Sequence, residues 1–130
     1  MHNFDLRCIF LGNSVVDFDT AAAFCDTEGG TLFEPTFGKQ DQAVQDYYLS
    51  NSTNLNFWIG VTDQDTEGRF KYYSNDHVIG YEGWKLEEPK SEGDCAISTL
   101  MGWMDEDCDA QSYATGKNKF CRFEKVLEHT

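Results

Sequence analysis

The sequence predicts a single α+β domain whose strands form an antiparallel sheet. At 130 residues the chain is long enough for one hydrophobic core and short for two. Its first half shows helical spacing of apolar residues, and its second half holds short aromatic and β-branched runs separated by Gly, Asn and Asp. Helices that precede strands, instead of alternating with them, are typical of this class. We therefore treat residues 1–130 as one domain.

The first half is expected to contain a strand and two helices. Residues 6–12 alternate between the two faces expected of a strand. Asp17 is a predicted N-cap for the first helix, which the glycines at 29 and 30 end. A second helix is predicted over about residues 39–49, where apolar side chains recur at helical spacing: Ala43, Val44, Tyr47 and Tyr48.

The second half is expected to consist of strands and loops. Four runs predict strands: FWIGV, RFKYYS, DCAIS and KFCRFEK. The acidic stretch around Pro89 fits no helix or strand, and long ordered loops in compact domains are usually functional. A cis bond before Pro89 would fix the directions of the flanking side chains.

The net charge of the chain restricts the classes of partner that it can bind. The 23 acidic residues outnumber the 10 basic ones, giving a formal charge of -13, which repels both nucleic acid and anionic lipid. No segment approaches the roughly 20 apolar residues of a membrane span, and the start lacks a signal-peptide pattern, so we expect a mature fragment. Simple solubility explains such an acid excess, but clustered carboxylates also bind hard cations.

Five cysteines without a CxxC pair predict two disulfides and one leftover thiol. Disulfides persist outside the cytosol, so the count predicts a secreted, extracellular protein.

Six motifs occur in an order that resembles the C-type lectin-like domain. They are AAAFCDTEGGTL, FWIGVTDQDTEGRFKYYS, GWKLEEP, GDCAIS, GWMDEDC and KFCRFEK. The resemblance covers nearly the whole chain. It implies a C-type lectin-like fold, with two helices flanking antiparallel sheets and a long calcium-binding loop.

The same resemblance implies how the cysteines pair. Cys25 would bridge to Cys121, and Cys95 to Cys108. Cys8 is then left over, either as a buried free thiol or as an intermolecular bridge to a partner or to a second copy in a homodimer.

Calcium is the cofactor that the resemblance implies, at two places. Asp63, Glu67 and Asp94 match an auxiliary site of the family, with Glu92 contributed by the same loop. Ca²⁺ takes about six to eight oxygen ligands, which suits a turn rich in carboxylates and glycine such as TDQDTEG.

The principal site, which in sugar-binding members holds both calcium and saccharide, matches less completely. Glu88, Glu92 and Asp105 are the candidate ligands, and sugar contacts are expected from Glu88, Lys90, Glu92 and Asp105. Lys90 and Met104 stand where mannose-binding members carry Asn, and neither ligates a hard cation. The Glu-Pro start resembles the mannose and fucose type more than the galactose type, so the resemblance favours mannose or fucose as the ligand.

Three functions follow from these residues. The first is a secreted, calcium-dependent lectin for terminal monosaccharides of glycans. The alternative is a protein-binding module whose sugar site has decayed and whose calcium is only structural, and a third is an ice- or mineral-binding protein. Enzyme activity is not expected, because no histidine lies in a motif with Ser or Cys and the paired carboxylates are assigned to the cation.

Overall fold

The computed structural model describes residues 2–4, 9–51, 56–118 and 125–127. The predicted α+β class is confirmed, with helices and strands in the following order: β1 (His2–Phe4), β2 (Ile9–Val16), α1 (Phe18–Thr27), β3 (Gly30–Leu32), α2 (Gly38–Asn51), β4 (Phe57–Thr62), β5 (Lys71–Tyr72), β6 (Cys95–Thr99), β7 (Gly102–Glu106), β8 (Ser112–Asn118) and β9 (Lys125–Leu127).

Both predicted helices are confirmed. Asp17 caps α1, and its Oδ1 accepts a hydrogen bond of 2.8 Å from the Thr20 N–H. The glycine predicted to end this helix, Gly29, has a φ of +82°, a conformation that favours glycine. The second helix, α2, extends slightly beyond the predicted segment at both ends.

The sheet is mixed, which corrects the expectation of a purely antiparallel one. Its strand order is β2-β8-β4-β6-β7, with β3 on β8 and β5 on β4. Strands β4 and β8 run parallel, with Phe57 opposite Tyr113. This pairing is allowed because β5, β6 and β7 lie between β4 and β8 in sequence and provide the long crossover that parallel neighbours require.

Strand β8 was not predicted, because SYATGKN is rich in residues with weak strand preference. Pairing with β2, β3 and β4 holds it in the sheet. The predicted strand RFKYYS is reduced to β5, and most of KFCRFEK lies outside the described residues.

Successive side chains of β4 point alternately into two hydrophobic clusters, which lie on opposite faces of the sheet. Phe57, Ile59 and Val61 join the cluster that contains Val44 of α2, whereas Trp58 joins the cluster that contains Phe18 of α1. Each helix therefore covers a different face. Neither helix in the described part of the chain is long and apolar enough to cross a membrane.

One predicted disulfide is confirmed, and the other includes a cysteine outside the described residues. Cys95 and Cys108 are bonded, with their Cα atoms 5.1 Å apart. Cys25 is a fully buried free thiol, and its predicted partner, Cys121, lies outside the described residues. Burial, followed by the charge of Glu28, raises the pKa of Cys25 to about 12. The other two cysteines, at 8 and 121, lie outside the described residues.

Candidate cation and ligand sites at the long loop

The first site is the acidic cluster, formed by Asp63, Glu67 and Asp94. Asp63 follows β4 directly, and its N–H donates to the Asp94 carbonyl over 3.0 Å, which joins the two segments. Gly68 closes the turn, because its N–H donates to Asp63 Oδ2 over 2.8 Å and its φ of +84° is one that favours glycine. One carboxylate oxygen of each acid then lies within 4.8 Å of the other two.

No Lys or Arg within the described part of the chain forms an ion pair with the acidic cluster. Asp63 is buried, and its Oδ1 has no hydrogen-bond partner among the described residues. The negative charge of Asp63, together with burial, raises the pKa of Glu67. Burial, together with its contacts to Asp63, raises the pKa of Asp94. A buried carboxylate oxygen without a donor beside two further carboxylates is a donor set suited to Ca²⁺.

The second site is the Glu88–Asp105 pair. Asp105 lies on β7 with its side chain buried, and its carboxylate accepts three backbone hydrogen bonds from the loop. The Lys90 N–H donates to Oδ1 over 2.9 Å, and the N–H groups of Glu92 and Gly93 donate to Oδ2 over 2.6 and 2.9 Å. Burial favours a higher pKa for Asp105, but these bonds and the contact with Glu88 outweigh it and lower the pKa.

Gly93 lets the loop approach β7 closely. A Cβ at this position would lie 2.1 Å from the carbonyl carbon of Glu106, so no other residue fits without a backbone shift. The glycine therefore allows the N–H groups at 92 and 93 to reach Asp105.

Glu88 is the other member of the pair. Its side chain is 1% exposed, its Oε1 accepts from the Asp105 N–H over 3.1 Å, and its Oε2 lies 3.8 Å from Lys90 Nζ. Burial is the main cause that raises the pKa of Glu88, and the neighbouring Asp105 carboxylate adds to it. The bond between Glu88 and Pro89 is cis.

As arranged, these residues do not fit a cation held by Glu88, Glu92 and Asp105. Both oxygens of Asp105 accept backbone N–H groups, and the ammonium of Lys90 is the positive charge beside Glu88. Glu92 is exposed and lines a separate open cavity with Asp94 and Asp107. Within the described residues, Asp63, Glu67 and Asp94 are the only three-acid group with ligand atoms this close together. The structure thus brings together three of the six predicted ligands in one place and two in another.

A third buried acid, Asp41 on α2, was missed by sequence reasoning. Its Oδ2 accepts from Tyr81 Oη over 3.1 Å and from Trp103 Nε1 over 3.0 Å, and burial raises its pKa to about 6. Asp41 lies three residues before the apolar Val44, a spacing that assigns it to the buried side of α2 and could have identified it. Because Tyr81 is bonded to Asp41 and packs on Trp103, it is part of this network.

Comparison with known proteins gives consistent matches. Residues 14–115 match the family model described as Lectin C-type domain. Collectin-10 of Gallus gallus is 32% identical over 113 residues, which are 84% of this chain and 40% of that protein. The chain spans about half the length of the curated relatives it matches.

Solved structures share the fold. The mouse scavenger receptor C-type lectin carbohydrate-recognition domain is similar with a TM-score of 0.78 and 20% identity, over 93% of this chain and 91% of that one. The Ca²⁺-independent C-type lectin SPL-2 of Saxidomus purpuratus has a TM-score of 0.75 and 16% identity, over 84% and 83% of the two chains. At these identities the likeness concerns the fold alone.

Proposed function

The chain belongs to the C-type lectin domain family, and on that premise we propose that it is an extracellular, non-enzymatic domain that binds terminal monosaccharides of glycans in a calcium-dependent manner. The observation that carries the calcium dependence is the acidic cluster with the unpaired, buried Oδ1 of Asp63. The match to the Lectin C-type domain family supports the glycan ligand. The disulfide between Cys95 and Cys108 supports an extracellular location.

Calcium would be held by Asp63, Glu67 and Asp94, and it would supply the positive charge that this cluster lacks. Asp94 directly follows Glu92 and Gly93, whose N–H groups hold the carboxylate of Asp105. Fixing Asp94 therefore restrains the loop segment that forms the ligand surface. In this way a cation that does not contact the sugar would still control sugar binding.

The sugar contacts would divide between exposed and buried residues of the loop. Lys90 is half-exposed and donates hydrogen bonds, and Glu92 is exposed and accepts them, so both suit sugar hydroxyls. Glu88 and Asp105 are buried and satisfied by backbone N–H groups, so their role is to hold the loop in shape. We retain mannose and fucose as the expected sugars.

A matched pair of variants in one turn tests the calcium site. Calcium in hundredfold excess over its dissociation constant should raise the free energy of unfolding by about 2.7 kcal/mol. Glu67→Gln should abolish that rise because it removes a ligand. Asp65→Asn removes one charge from the same turn but lies outside the acidic cluster, and it should keep the rise.

Retention on immobilised mannose, fucose and galactose tests the sugar site. The native domain should be retained in calcium and released by a chelator, and Lys90→Ala or Glu92→Gln should weaken retention without changing calcium-dependent stability. Failure to bind any of the three sugars, in a protein that calcium stabilises, would contradict the proposed recognition of terminal monosaccharides.

A protein partner is the second candidate, favoured by one observation. Leu86 is 90% exposed and Met101 is 77% exposed. Leu86 is next to Lys85 and Met101 is next to Gly102. The backbones of Lys85 and Gly102 approach closely, because a Cβ on Gly102 would lie 2.8 Å from the Lys85 nitrogen. Exposed apolar side chains at neighbouring positions suit a protein interface. The retention experiment separates the two candidates, because a protein binder needs no sugar.

A further inference from the structure

A cavity lies between the turn of the acidic cluster and the loop at Pro89. Its volume is about 650 Å³, within the usual range of small-ligand sites. The residues that line it combine apolar, aromatic and charged side chains: Arg69, Phe70, Val78, Glu82, Trp84 and Pro89. Neither Lys90 nor Glu92, the proposed sugar contacts, lines this cavity. The cavity therefore has no role in the function proposed so far.

The aromatic wall of this cavity is held in place before any ligand arrives. Trp84 packs edge-to-face on Phe70, with ring centroids 4.7 Å apart, and on Trp103, with centroids 5.4 Å apart. Trp84 is only partly buried, so part of its surface remains accessible. A rigid, partly exposed aromatic ring suits the apolar C–H face of a sugar, because little side-chain freedom is lost on binding.

Arg69 gives the cavity its chemical preference. Lys71 forms ion pairs with Asp65 and Asp76, and Lys90 forms one with Glu88, whereas Arg69 forms none with any described residue. Its side chain is exposed at the cavity. The planar guanidinium presents two parallel N–H donors that match the two oxygens of a carboxylate.

Acidic residues that line the cavity oppose its preference for a carboxylate. Glu67 and Glu82 also line it and would repel an anion. Glu67, however, belongs to the acidic cluster, and a bound Ca²⁺ would offset two of the three negative charges of that cluster. Glu82 lies outside the cluster, so its repulsion of an anion would remain.

We propose that this cavity is an extension of the sugar site that accepts a uronic acid residue, with the sugar ring on Trp84 and its carboxylate on Arg69. The proposal rests on the proposed function, since the neighbouring sugar of the same oligosaccharide would contact Lys90 and Glu92. It makes the preferred ligand an acidic oligosaccharide rather than a single neutral sugar.

Two trisaccharides that differ in one carboxylate test the proposal. β-1,4-mannotriose and the counterpart in which a single terminal mannose is replaced by mannuronate are titrated in calcium against the native domain by calorimetry. A charge-assisted hydrogen bond predicts about tenfold tighter binding of the trisaccharide that carries the mannuronate. Arg69→Gln should remove that difference, and Glu82→Gln should enlarge it. Lys39→Gln removes a positive charge that does not line the cavity, and it should leave the difference unchanged.

The outcomes separate this proposal from the function on which it rests. Equal binding of both trisaccharides, or a preference that survives Arg69→Gln, overturns the uronate site and leaves the lectin function standing. Absence of binding by either trisaccharide, in a protein stabilised by calcium, overturns both. Unchanged binding of mannotriose by Arg69→Gln would show that the variant is folded.

Discussion

Replacing Asp41 with Asn should change how stability depends on pH. Burial raises the pKa of Asp41 from its ordinary value of 3.8 to about 6, against the effect of the hydrogen bonds from Tyr81 and Trp103. Because the folded pKa is the higher one, the neutral acid stabilises the fold fully below pH 3.8, and this contribution is lost as pH rises through about 6. Asn keeps an acceptor for both donors and never ionises.

The magnitude follows from the two pKa values. At about 1.4 kcal/mol per pH unit, the difference between 3.8 and about 6 corresponds to about 3 kcal/mol. Relative to the native domain, Asp41→Asn should therefore gain up to about 3 kcal/mol between pH 4 and pH 8. Among the described residues, Tyr72 and Tyr81 interact electrostatically with Asp41, and their pKa values are raised away from this pH range.

Urea unfolding at several pH values measures the effect. Asp46→Asn is the matched control, since it removes an exposed carboxylate from the same helix. A difference between Asp41→Asn and the native domain that stays constant from pH 4 to pH 8 would refute the reasoning, because it would show that Asp41 has the same pKa folded and unfolded.

Two further predictions concern local structure. Asp105→Ala should lower the free energy of unfolding by about 3 kcal/mol, because three loop N–H groups lose a charged acceptor. The same variant should expose the bond after Lys90 to trypsin. Resistance to trypsin equal to that of the native domain would contradict the role of Asp105. Asp17→Ala should cost about 1 kcal/mol in the same measurement through loss of the α1 cap, whereas Asp19→Ala, which lacks the capping bond, should cost less.

Local signals and ordered motifs predicted most of the elements. Asp17 was identified from its position before an apolar helical run, and residues 57–61 from a β-branched and aromatic run, because both signals act over a few residues. Strand β8 escaped detection, since Ser112–Asn118 is held in the sheet by neighbours distant in sequence. Its parallel pairing with β4 depends on the whole topology.

The candidate-site residues likewise divide into those that a local motif identified and those whose position depends on the three-dimensional fold. The turn at Asp63 and Glu67 is local, and the motif before Cys95 identified Asp94. The exposed position of the Glu92 side chain could not be predicted. It depends on which loop N–H groups bond to the Asp105 carboxylate, and the N–H of Glu92 is one of them. Similarly, the ion pair between Lys90 and Glu88 follows from the three-dimensional path of the loop.

The pairing of β2 with β8 has a consequence for synthesis on the ribosome. Ile9 pairs with Lys117, so an early strand of the domain obtains its partner only after the last part of the domain has been synthesised. Such long-range pairing closes a large loop and slows folding. The growing chain must therefore carry α1 and β4 without their sheet neighbour, and we expect the domain to fold only after its last third has left the ribosome.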